Sequence, residues 1–266
     1  MYLSVRSLAA LLALALFLSS CKKDVASAPA PEDAVAWHDR QDGANVTSEL
    51  LRLQSDNLLM GNPSGAVADV AAYSNYLMSK LQYALSYNRN RATPNWVSWH
   101  LDPSWLGSAP RQDDFRSDAT LPTGWYRVGS TSYSGSGFDR GHNCPSADRS
   151  YSTTDNSATF LMTNMIPQAP TNNQQTWANL ENYCRTLVNQ GNELYVIMGS
   201  YGTGGTGTNG TASTIDAGRI TVPNRVWKVI VVLPRGTGDV ARVTTSTRVI
   251  AVNTPNTNSI STSWGS

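Results

Sequence analysis

Cysteine and histidine are scarce in this 266-residue chain, with three of each. No CxxC and no closely spaced His or Cys pair occurs, which excludes the usual kinds of zinc site. An excess of either charge is also missing: 20 Lys and Arg against 19 Asp and Glu give a net +1. Residues 1–20 hold one of these charges, Arg6, so the remainder carries 19 of each sign and a net of zero. The broad basic face of many nucleic-acid binders is therefore absent. Affinity for a polyanion has to come from a local cluster, for which Arg111, Arg116, Arg127, Arg140, Arg149 and Arg185 are the candidates.

Long apolar runs are equally few. Leu8–Leu18, behind Arg6, is too short to span a bilayer and fits the core of a secretory signal over residues 1–20. It ends in Leu18-Ser19-Ser20-Cys21, which resembles a bacterial lipobox and implies lipidation of Cys21; a plain signal ending beside a chance cysteine is the alternative. An exported protein, held to the cell envelope by a lipid anchor or secreted, is the expectation. Residues 21–56 then read as a flexible tether, residues 57–255 as one domain, and residues 256–266 as a loose tail. A hydrophobic fraction of 40%, with eight Trp and eleven Tyr, is enough for a single sizeable core. Export would place Cys144 and Cys184 in an oxidising compartment, so a bridge between them is expected, contributing about 3 to 4 kcal/mol by chain entropy. Two buried thiols are the other reading.

Periodicity sets the elements. Val67, Val70, Tyr73, Leu77, Leu81, Ala84 and Leu85 recur mostly at three or four residues, which predicts an amphipathic helix after the Gly61–Gly65 turn. Asn95–Leu101, Gly124–Val128, Gly137–Asn143, Leu194–Met198, Arg225–Leu233 and Val243–Val252 read as strands, with His100 structural in the first. Trp177, Leu180, Tyr183, Cys184, Leu187 and Val188 predict a helix over Asn173–Gln190, stopped at Gly191. Gly202–Ser213 is a Gly/Thr/Asn-rich surface loop.

Against this background one order of residues carries chemistry. Asp139-Arg140-Gly141-His142 is followed by Asn173 and then Glu181. A phosphodiester is shielded by its own charge, so hydrolysis requires an activated water, neutralisation of charge on phosphorus and help for the leaving oxygen. A neutral imidazole at His142 can take the proton from water. Asn173 offers a neutral oxygen suited to a hard cation such as magnesium. Glu181, eight residues on, lies just over two helical turns away and about 80° around the axis, so both side chains can lean toward one ion. An Asn at a helix start also serves as a cap, Asn172 is a neighbouring candidate ligand, and Glu181 has a solvated reading.

Phe138-Asp139-Arg140-Gly141-His142 resembles the DNA/RNA non-specific endonucleases, the ββα-metal (His-Me finger) family that includes endonuclease G. The resemblance continues through Thr159–Gln168, Asn172-Asn173, Trp177, Leu180-Glu181 and Arg185, with weaker echoes from about residue 90 to 235. It implies an α+β fold with a central antiparallel sheet flanked by helices. It implies Asn173 as the protein's metal ligand, Glu181 holding metal-bound water, and Asn164 as a supporting residue. Arg140 and Arg185 match positions lining the site, and Asp139 is expected to orient Arg140 or the backbone. For the transition-state clamp the family uses an upstream arginine near an aromatic and an Asp. Arg111, ahead of Phe115 and Asp118, matches best, with Arg116 as rival. The expected ion is Mg2+, with Mn2+ or another divalent cation as substitutes. The expected partners are DNA and RNA, gripped through the phosphate backbone, and the membrane only through the anchor; a protein inhibitor is left unidentified. The competing expectation is a non-catalytic surface lipoprotein of the same fold that binds polyanions or a protein, which the zero net charge favours. A third is the same chemistry confined to another phosphodiester.

Overall fold

The computed structural model describes residues 56–265. The signal, Cys21 and the tether through residue 55 lie outside the described residues. The strands in chain order are β1 Tyr76–Ser79, β2 Ala84–Asn88, β3 Thr93–Leu101, β4 Asp139–His142, β5 Met165–Gln168, β6 Asn192–Tyr201, β7 Gly205–Gly207, β8 Gly210–Ala212, β9 Thr214–Ile215, β10 Ile220–Thr221, β11 Arg225–Pro234 and β12 Arg248–Pro255. Among the described residues three α-helices accompany them: α1 Thr153–Ala158, α2 Ala178–Asn189 and α3 Asp239–Arg242. Six strands form an antiparallel sheet in the order β1-β2-β3-β6-β11-β12, and β4 pairs with β5 apart from it.

Alternation explains β11, in which Val226, Lys228, Ile230 and Val232 face inward between half-buried Arg225, Trp227, Val229 and Val231. Trp227 also dictates its neighbour, because a Cβ on Gly199 would meet the indole at 2.6 Å and the Asn95 carbonyl oxygen at 2.4 Å. On α2 the apolar stripe Leu180, Cys184, Leu187 and Val188 packs into the core shared with Val97, Trp99, Val196, Met198, Val226 and Ile230 of the sheet. The helix stops at Gly191, whose φ of 90° is left-handed. Asn172–Trp177 is a wider π-helical turn running directly into α2, so the β4, β5 and α2 trio makes the ββα unit.

Several expected elements differ. The helix expected after Gly65 is instead β1 and β2, closed by the hydrogen bond from Lys80 N–H to the Tyr83 carbonyl. The false stripe joined exposed Val67, Val70 and Tyr73 to strand residues, and β2 is buried on both faces, so alternation is invisible there. Gly124–Val128 buries Trp125 and Val128 without pairing to a strand. The last strand begins at Arg248, behind α3, and the Gly-rich loop folds into the small β7–β8 hairpin. Beyond Pro255 the chain is tied down rather than loose. The Asn256 amide donates to the Pro167 and Pro223 carbonyls, both at 2.9 Å, and accepts from Ala169 N–H at 2.7 Å, while Trp264 packs on Tyr183. Cys144 and Cys184 are free, buried thiols in the main core, not a disulfide, and burial pushes both pKa values up to about 12.

Candidate active site

The β4–β5 pairing brings the motif together. Asp139, Arg140, Gly141 and His142 lie opposite Gln168, Pro167, Ile166 and Met165. A Cβ on Gly141 would meet the Gln168 side chain at 2.2 Å, so the close approach of the two strands demands glycine. Side chains alternate along β4, and the four motif residues divide accordingly. Arg140 and His142 share one face, where both touch Phe115: the guanidinium lies 3.8 Å from the ring centroid and the imidazole meets it edge-on at 5.6 Å. Phe160 closes the other side of His142 at 4.8 Å and carries Arg111 over its ring at 4.8 Å.

His142 is thus wrapped in apolar rings with two cations nearby. Burial first, then Arg111 and Arg140, lower its pKa to about 3, so the ring is neutral at physiological pH. Its Nε2 is buried without a hydrogen-bond partner among the described residues. Arg111 donates to Asp113 at 2.7 Å and Ser146 at 2.8 Å, and Arg140 donates to the Ser130 carbonyl at 3.1 Å.

Asp139 works on the other face. Its Oδ2 accepts from Asn173 Nδ2 at 2.8 Å and from Gln174 Nε2 at 2.9 Å. Asp139 therefore holds the Asn173 carboxamide, where orientation of Arg140 or the backbone was expected. With Nδ2 committed, Oδ1 of Asn173 has no hydrogen-bond partner among the described residues, and no cap hydrogen bond uses it. Asn172 is excluded as a ligand because it is fully buried and exchanges its hydrogen bonds with Gln168, Thr254 and Pro255. A cavity of about 390 Å³ is lined by Arg111, Phe115, Asp139, Arg140, Asn173 and Gln174, among others. Arg116 is outside that lining and pairs with Asp114 at 2.6 Å and the Ser157 carbonyl at 2.9 Å.

Asn164 is wholly buried and spends its amide on backbone, accepting from Cys144 N–H and donating to the Cys144 and Thr159 carbonyls. It props the strand end that carries His142. Glu181 and Arg185 form a second group on α2. Glu181 Oε1 lies 3.3 Å from Lys228 Nζ, and Arg185 Nη1 lies 2.6 Å from Asp148 Oδ1. Burial raises the Glu181 pKa, opposed by Lys228. The short helix Ser146–Arg149 links the two groups, since Ser146 contacts Arg111 and Asp148 contacts Arg185.

Asp148 and Gln174 were not singled out in the sequence, and Phe160 and Lys228 stood there only as letters of the resemblance, with no role assigned. His100, Glu193 and Asp239 also place ligand atoms within 4.8 Å of one another. Arg242 already pairs with both carboxylates and His100 with Glu193, and none of the three lines the cavity, so this cluster is self-neutralised. Among the described residues no helix is long and apolar enough to cross a membrane.

The profile of the family described as DNA/RNA non-specific endonuclease matches residues 62–264. A nuclease of Nostoc sp. is 53% identical over 217 residues, 82% of this chain and 76% of that protein. Human mitochondrial endonuclease G is 32% identical over 166 residues, 60% of this chain and 56% of that protein, so the chain spans about half of this longer relative. The solved EndoG/EndoGI complex contains a chain with the same fold, at a TM-score of 0.62 and 24% identity, covering 79% of this chain and 83% of that one. The fold is therefore the α+β ββα-metal fold, and this chain belongs to the DNA/RNA non-specific endonuclease family.

Proposed function

We propose that the protein hydrolyses phosphodiester bonds of DNA and RNA with little sequence specificity, using His142 as general base beside one hydrated divalent cation. The family is one of metal-dependent nucleases, and the donors present fit such an ion. Asn173 offers an amide oxygen whose partner nitrogen is pinned by Asp139, on the wall of a cavity that also holds that carboxylate. All are hard oxygen donors, as magnesium prefers. When bound, the cation supplies charge neutralisation at the phosphate and the leaving oxygen.

The remaining work belongs to the chain. His142, neutral because its surroundings oppose protonation, accepts the proton of the attacking water. Arg111 and Arg140, braced on Phe160 and Phe115, meet the growing negative charge on the phosphate oxygens. Glu181 would help hold the hydrated cation, and Arg185, paired with Asp148, braces the helix face that carries it. Backbone-directed contacts carry no base code, hence the low specificity. The single observation that carries the reading is the neutral His142 packed against Phe115 and Phe160, the two rings that carry Arg140 and Arg111 of the cavity wall.

Plasmid DNA and single-stranded RNA with Mg2+ test it directly. Both are expected to be cut, cleavage is expected to stop with chelator, and Mn2+ should restore it. Binding without cleavage in Mg2+ would make the protein a non-catalytic polyanion binder instead. We further propose export with a lipid on Cys21, resting on the sequence of residues 1–21. Palmitate labelling lost in Cys21→Ala supports it, and labelling of neither protein refutes it.

A further inference from the structure

Lys228 is 1% exposed on the core face of β11, between Val226 and Ile230, which are fully buried. A lysine so placed is unusual, because an ammonium loses its hydration there and has to be repaid by partners. Two are aromatic: Nζ lies 5.1 Å from the Trp177 ring and 5.6 Å from the Trp99 ring, so the charge sits against π faces. The third is Glu181, at 3.3 Å.

Two carboxylates share this neighbourhood, and they differ in what they leave free. Asp148 commits both oxygens, one to Arg185 and one to Trp99 Nε1 at 3.0 Å. Glu181 commits Oε1 to Lys228, Oε2 has no protein partner among the described residues, and the side chain is 17% exposed. Two cations and two anions balance, so the cluster has no charge left to settle internally. The geometry points to Lys228 as a positioning residue for hydrolysis: wedged between Trp99 and Trp177, it fixes one Glu181 oxygen and leaves the other for the hydrated cation. This inference rests on the nuclease reading above. A merely structural Lys228 would stabilise the core equally with or without the Glu181 charge.

Full-length wild type, Lys228→Met, Glu181→Gln and the double variant separate these roles, each assayed for plasmid cleavage across Mg2+ concentrations and for Mn2+ binding by calorimetry. Methionine fills the space between the two rings without a charge. Lys228→Met is expected to weaken Mn2+ binding and raise half-saturating Mg2+ about tenfold, the range found for groups that orient metal-site residues. KM for DNA should hold. In the Glu181→Gln background the same change should alter both constants less than about twofold, since its target is gone. Equal losses in both backgrounds, or no loss in either, would overturn the role. Wild type that fails to cut would contradict the nuclease reading, and the Mn2+ titration would still decide Lys228, because equal affinity in wild type and Lys228→Met refutes it. If Lys228→Met does not fold, Lys228→Arg replaces it. Arginine keeps the charge but not its depth between the rings, so half-saturating Mg2+ should still rise, and an unchanged value refutes the role.

Discussion

His142 has its acid-base behaviour set by neighbours more than by its own type. Burial, Arg111 and Arg140 all oppose protonation, taking the pKa from 6.5 to about 3. The acid limb of kcat/KM, which reports the free enzyme, should therefore show no His142 step near pH 6.5. A limb there in wild type, or none appearing when Phe115→Ala or Phe160→Ala opens the wall, would contradict the apolar wall. The sign for stability follows from linkage. The unfolded chain takes up this proton below about pH 6.5 while the folded chain resists to about pH 3, so the contribution is full above 6.5 and is lost as pH falls toward 3. The cysteines make a second test at this scale. With both thiols free and buried, reductant should leave Tm unchanged, and a thiol reagent should react with Cys144 and Cys184 only after denaturation. A Tm that drops with reductant would mean a bridge exists.

Between elements, the close contact of β4 and β5 is what puts Arg140 and His142 on one face and Asp139 on the other. Gly141→Ala would drive a methyl into Gln168 and force the strands apart, with an expected loss of about 1–3 kcal/mol, as for overpacking, and a larger fall in cleavage than in Tm would suggest. Urea unfolding and cleavage rates together check this. Retention of both would show that the strands can slide at no cost. Legibility in the sequence varied with how each element is stabilised. α2 and β11 were readable because each has one buried face, so periodicity survives in the letters. β1 and β2 were not, since Ala84–Tyr87 of β2 are buried on both faces and a short turn mimicked a helical stripe. Asn173 was legible as chemistry, whereas its tie to Asp139 and that of Glu181 to Lys228 cross 34 and 47 residues and leave no local pattern.

At the scale of the whole molecule, a chain with zero net charge beyond its first 20 residues has to concentrate its positive charge. Arg111 and Arg140 do so at the cavity, while Arg149, Arg185 and Arg242 are consumed by internal partners. The expected loose end instead reinforces the site, because Asn256 clamps the segment between β5 and α2 that positions Asn173. The central claim is that one neutral imidazole removes the proton from water while Asn173 and the cavity arginines bind ion and substrate. Single-turnover plasmid cleavage by His142→Ala in saturating Mg2+, with Mn2+ affinity and Tm measured on the same sample, tests it most directly. The account predicts a fall of at least about 100-fold in the cleavage rate, the usual worth of general-base catalysis, with ion affinity and fold retained. A folded, ion-binding His142→Ala protein that cuts at the wild-type rate would contradict it.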